Sequence, residues 1–252
     1  MRSLGPARWL PLAAVVGALV LLAQLTAAPA LGAPLPGDGD DAALVRLGRG
    51  RGAVQFAYHP APAATEGVLW LSGTDGGLDG PFDGLYSGLA RELQGNGVAS
   101  AQLIYHRPGQ FEPSLVEAGE VLDYLERAGL AHVAVVGFSF GGGVAVELAA
   151  ERTEIEGVIV LSGQGFGTEE VTRLAPRPLY ILHTLGDSNI PVATAYSLFE
   201  RAGAPAALVV LSRGDHHLET VAPEVERLVR RWLGATLPPP AGGGSTSPAS
   251  AE

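Results

Sequence analysis

Residues 133–143 read Val133-Ala134-Val135-Val136-Gly137-Phe138-Ser139-Phe140-Gly141-Gly142-Gly143. The first half, rich in β-branched and small apolar residues, predicts a strand buried on both faces. It runs into Gly-x-Ser-x-Gly and then into Val144-Ala145-Val146-Glu147-Leu148-Ala149-Ala150, a helix-forming segment. Strand, sharp turn and helix follow without a break. A serine in such a turn takes a strained backbone conformation, and the residues two before and two after it must be small to clear the turning chain. Gly137 and Gly141 meet that demand. The turn would lift the Ser139 hydroxyl above the sheet edge, at a helix start whose free N–H groups favour developing negative charge.

The motif needs a matching context, because Gly 35 in 252 residues makes a chance match common. The length allows one large α/β domain and leaves too little for a second. With 47% hydrophobic and 17% charged residues the chain is a folding one. The net charge of −10, with no concentrated basic segment, argues against a nucleic-acid partner. Cysteine is absent, which excludes disulfides, thiolate metal sites and a cysteine nucleophile.

Arg2 and Arg8 precede an apolar run over residues 9–25, followed by small residues that include Ala28-Pro29-Ala30. This is the pattern of an export signal, with cleavage after Ala30 as the first expectation and an uncleaved membrane anchor as the second. The domain plan is then a signal or anchor at 1–30, a Pro/Gly/Asp linker at 31–42, a folded domain at 43–236 and a disordered Pro/Gly/Ser tail at 237–252.

Within the domain, residues 44–47 and 53–58 predict an edge hairpin around a glycine-rich turn. Residues 67–71 make a short buried strand and lead into Ser72-Gly73-Thr74-Asp75-Gly76-Gly77, a loop whose backbone N–H groups are free to donate. Apolar spacing predicts helices over 82–94, 113–128, 191–201 and 223–233, besides the one after Ser139. It predicts strands over 98–105, 155–161, 179–183 and 206–211. Such alternation forces right-handed crossovers and a mostly parallel central sheet with helices on both faces. Only residues 162–178 separate two of the strands, too few for a large cap domain, so the site is expected to be open or covered by side chains such as Phe166.

A serine hydroxyl is a poor nucleophile at neutral pH. It needs a base within reach and an acid to orient that base. Asp187 follows the strand ending at His183, and Asp215-His216-His217 follows the last strand. Both lie just beyond C-terminal strand ends, where parallel sheets place their sites. Ser139, Asp187 and a histidine also follow one another in the chain order Ser, Asp, His. Glu169 and Glu170, after the preceding strand, are the alternative acids. His183 reads as a packed core residue, and His59, His106 and His132 have no paired context. No cluster has metal-ligand spacing, and neither metal nor cofactor is expected.

Residues 43–233 resemble the α/β-hydrolase fold family, most closely its small capless members related to dienelactone hydrolase. His183-x-x-x-Asp187-x-x-Ile190-Pro191 resembles that family's His-Gly-x-x-Asp-x-x-Val-Pro acid segment, and Asp215-His216-His217-Leu218 its histidine segment. Thr184 departs from the usual glycine. Ser139 departs from the cysteine of dienelactone hydrolase itself and points to an esterase-like branch. The resemblance implies a triad of Ser139, His216 and Asp187, with His216 preferred to His217. It also implies an oxyanion hole from the backbone N–H groups of Phe140 and Thr74, and a small-molecule ester or thioester as substrate. The same residues would also serve an acyltransferase or peptidase, and the fold alone would serve a catalytically silent binding protein. An exported enzyme, with membrane contact only through an uncleaved N-terminus, is the expectation. Oligomeric state is left open.

Overall fold

The computed structural model describes residues 42–240 apart from Arg51 and Asp83. The export segment, nearly all of the linker and the end of the tail lie outside the described residues. Among the described residues eight strands form one sheet: β1 (Ala43–Leu47), β2 (Val54–His59), β3 (Glu66–Leu71), β4 (Ala99–Ile104), β5 (His132–Phe138), β6 (Ile155–Leu161), β7 (Leu179–Thr184) and β8 (Ala206–Leu211). They lie in the order β1-β2-β4-β3-β5-β6-β7-β8. The pairs β1·β2 and β2·β4 are antiparallel and every other pair is parallel. The hairpin at residues 43–59 therefore closes one edge of an otherwise parallel sheet.

Among the described residues four helices connect strands, α1 (Leu85–Gly95), α2 (Phe111–Arg127), α3 (Phe140–Glu151) and α4 (Ala193–Arg201), and a fifth, α5 (Ala222–Thr236), follows β8. The continuous apolar run of β5 has a direct packing reason. Val133 and Val135 point into a core shared with α2, α3 and α4, while Ala134, Val136 and Phe138 point into a second core shared with α1 and α5. A strand between two cores has no face left for a polar residue. Leu237, placed in the tail by the sequence pattern, is buried in the second core.

Helix bounds shift from the sequence pattern for local reasons. Helix α1 starts at Leu85 because Gly84 sits at φ 83°, outside the helical region. Helix α2 starts two residues ahead of Pro113, which occupies its first turn, where the missing N–H costs nothing. Between β6 and β7 there is only a loop with one 3₁₀ turn at Val171–Leu174. No large cap stands over the sheet among the described residues.

Candidate active site

Strand β5 ends, and helix α3 begins, at Ser139, whose φ of 53° and ψ of −115° are unusual for any residue with a side chain. Such a conformation costs about 1–3 kcal/mol and persists only where its surroundings enforce it. Two glycines make it possible. A Cβ on Gly137 would stand 2.2 Å from the Gly141 carbonyl oxygen, and one on Gly141 would stand 2.4 Å from that of Leu71. The Ser139 N–H donates to the Leu161 carbonyl at 2.9 Å, which ties the turn to the end of β6. The next strand end repeats the step: Ser162 has φ 45° and its N–H donates to Leu182 at 2.9 Å.

Three of the side chains named from the sequence form one hydrogen-bonded chain. His216 Nε2 lies 2.9 Å from Ser139 Oγ. Its Nδ1 lies 2.8 Å from Asp187 Oδ2. The other carboxylate oxygen, Oδ1, accepts the N–H groups of Asn189 and Ile190, each at 2.8 Å. Since a carboxylate only accepts, Nδ1 of His216 carries the proton and Nε2 faces the serine as an acceptor. All three residues are at most 8% exposed. The imidazole of His216 rests beside the Phe138 ring, 5.1 Å between centroids.

His217 is directed elsewhere, with Nδ1 donating to the Pro81 carbonyl at 3.1 Å. The alternative acids are both exposed. Glu169 and Glu170 lie near Glu147 of α3, whose carboxyl is raised by burial first and by Glu151, Glu169 and Glu170 after it. Thr74 is exposed, and its loop passes beside the serine: a Cβ built on the neighbouring Gly73 would stand 3.6 Å from Ser139 Cβ. Phe140 opens α3 with its ring buried against Tyr105 and Phe111. Phe166, in the loop after β6, packs edge-on against Phe111 at 4.8 Å and is 58% exposed.

Several contacts had no signal in the sequence. Thr184 Oγ1 donates to the Asp215 carbonyl at 3.2 Å, so the residue that replaces the usual glycine ties β7 to the histidine loop. A Cβ on Gly186 would stand 2.4 Å from the Gly214 carbonyl oxygen, so the acid loop and the histidine loop meet backbone to backbone. Asp215 closes the histidine turn, its Oδ1 accepting the Leu218 N–H at 3.1 Å. Among the described residues no group of three or more His, Asp or Glu side chains could hold a metal ion.

No protein-family model and no curated sequence matches the chain. Solved structures do. Est1E from Butyrivibrio proteoclasticus superposes with a TM-score of 0.67 at 14% identity, covering 77% of this chain and 98% of its own. A dienelactone hydrolase from Anabaena variabilis gives 0.63 at 20% identity, covering 78% and 98%. The chain has the α/β-hydrolase fold. An esterase from Pyrococcus furiosus agrees, with a TM-score of 0.62 at 14% identity over 82% of this chain and 97% of its own. In an α/β-hydrolase fold the ends of β5, β7 and β8 are where this chain carries Ser139, Asp187 and His216.

Proposed function

We propose that the chain is a serine hydrolase of the dienelactone-hydrolase-like branch, cleaving small carboxylic esters or thioesters through an acyl-enzyme. The observation that carries this reading is the unbroken chain from Ser139 Oγ through His216 to a carboxylate held by two backbone N–H groups. His216 Nε2 takes the hydroxyl proton as Oγ attacks the acyl carbonyl, and Asp187 holds the imidazolium in place. The backbone N–H groups of Phe140 and Thr74 receive the oxyanion, each such donor contributing about 2.7–4 kcal/mol in comparable sites. His216 returns the proton to the leaving alcohol or thiol. Water, deprotonated by the same imidazole, then attacks the acyl carbon, and the acid leaves as Ser139 recovers its proton.

Among the described residues no large cap keeps water from Ser139, which favours hydrolysis over acyl transfer. The exposed ring of Phe166 beside Phe111 offers an apolar wall for the acyl group. The N-terminal Arg2/Arg8 segment with its apolar run supports a place of action outside the cytoplasm. A fluorophosphonate probe tests the nucleophile: wild type is labelled and Ser139→Ala is not. Labelling that survives in Ser139→Ala would remove the assignment, and an unlabelled wild type would favour the silent binding role. A p-nitrophenyl ester series graded by acyl length, run beside thioester and peptide substrates, then reads the substrate class.

A further inference from the structure

His183 is fully buried at the end of β7, four residues before Asp187. Its surroundings are more specific than those of a packing residue. Nε2 lies 2.9 Å from the Ile190 carbonyl oxygen and 3.3 Å from Asp187 Oδ2. Both neighbours can only accept, so Nε2 carries the proton and donates it to the Ile190 carbonyl, with Oδ2 close by. Nδ1 is buried and has no hydrogen-bond partner. A second proton there would be a buried donor with nowhere to go, which fixes the tautomer as Nε2–H.

Asp187 thus accepts three N–H groups, with a fourth close by. Asn189 and Ile190 occupy Oδ1 and His216 occupies Oδ2, which His183 Nε2 approaches to 3.3 Å. The His183 ring also spans the loop, reaching the carbonyl of Ile190 seven residues on, while the Ile190 N–H returns to Asp187. Carboxylate and loop are therefore tied at both ends of one short segment. The other titratable groups at this cluster are Ser139 on His216 Nε2, His217 with its ring 5.4 Å from that of His216, and Asp215 in the same turn.

We infer that His183 is a positioning residue, a second histidine beside Asp187 whose Nε2–H fixes the acid loop through the Ile190 carbonyl and offsets the negative charge of the oxygen that faces His216. The inference rests on the hydrolase reading above. Without this donor, Oδ2 presents more negative charge to His216 and holds its imidazolium more tightly. The base is then freed only at higher pH, and a loosened carboxylate lowers turnover more than substrate binding.

The test compares His183→Leu, which removes the donor, with His183→Gln, whose amide nitrogen can take the place of Nε2. With p-nitrophenyl acetate, His183→Leu should lower kcat about tenfold or more with KM changed less than about twofold. It should also move the acid limb of the kcat profile up by about half a pH unit. His183→Gln should recover kcat to within about threefold of wild type and restore the limb. Equal losses in both variants, with the limb unmoved and the melting temperature lowered in step, would reduce His183 to packing and overturn the inference. Nitrogen-15 histidine NMR of the wild-type protein gives a readout that needs neither substrate nor a folded variant. It should find His183 protonated at Nε2, and protonation at Nδ1 would also overturn the inference. A wild type that hydrolyses no ester but shows the Nε2–H tautomer would remove the hydrolase reading while leaving the contact to Asp187 standing.

Discussion

His216 Nε2 and Ser139 Oγ are 2.9 Å apart, across 77 positions of the chain. That contact separates two adjacent histidines that the sequence alone leaves as alternatives. We expect His216→Ala to lower kcat for a p-nitrophenyl ester by about 10⁴-fold or more. His217→Ala, which removes a bond to the Pro81 carbonyl and ring contacts with Phe138 and His216 but no bond to Ser139, should stay within about threefold. The reverse ranking would reassign the base.

Asp187→Asn tests the acid without changing its size. The asparagine oxygen can keep the N–H groups of Asn189 and Ile190, which leaves its NH₂ facing the Nδ1 proton of His216. Two donors cannot share that contact, so the imidazole is driven to the tautomer with a proton on Nε2, where it cannot accept from Ser139. We expect kcat to fall by about 10⁴-fold. A loss smaller than about tenfold would mean that another group orients His216.

The glycines of the turn should be intolerant of a single methyl group. Gly141→Ala places a Cβ 2.4 Å from the Leu71 oxygen and 2.5 Å from that of Ser72, contacts with backbone that cannot swing aside. We expect a loss of about 1–3 kcal/mol or more in urea unfolding. Gly88→Ala, in the middle of α1 with nothing within 4 Å of the added carbon, should instead add about 0.5–1 kcal/mol. Equal effects of the two would contradict the packing of the turn.

Glu147 supplies a pH dependence. Its carboxyl is raised, by burial most and then by Glu151, Glu169 and Glu170, with Arg173 opposing. A raised carboxyl is protonated more readily in the folded than in the unfolded chain. Its contribution is therefore present below the ordinary glutamate range and is lost as pH rises through the folded value. Glu147→Gln should melt at a higher temperature than wild type at about pH 8, with the gain closing toward about pH 4. A gain that grows on acidification would contradict the sign.

The parts of this fold that follow from local sequence were legible. The two-sided burial of β5, the glycines around Ser139 and the alternation of strands with helices each leave a pattern in neighbouring residues. So did the order of Ser139, Asp187 and His216, because each follows a strand that can be read from its apolar run. What the sequence hid was partnership across the sheet. Pro81 claims His217, Asp215 engages Thr184, and Ile190 with Asp187 engages His183; each contact depends on which loops lie side by side. His183 carries the sequence signature of core packing, because full burial and a polar role leave the same apolar-strand pattern.

The backbone contact of Gly186 with Gly214 has a practical consequence for redesign. It makes the acid and histidine loops a single ledge, so an insertion or a larger residue in either one displaces both halves of the acid–base pair together. The stretch between β6 and β7 carries no member of that pair and already ends at solvent in Phe166. New substrate preferences are better grafted there, by lengthening residues 163–170, with the ledge left untouched.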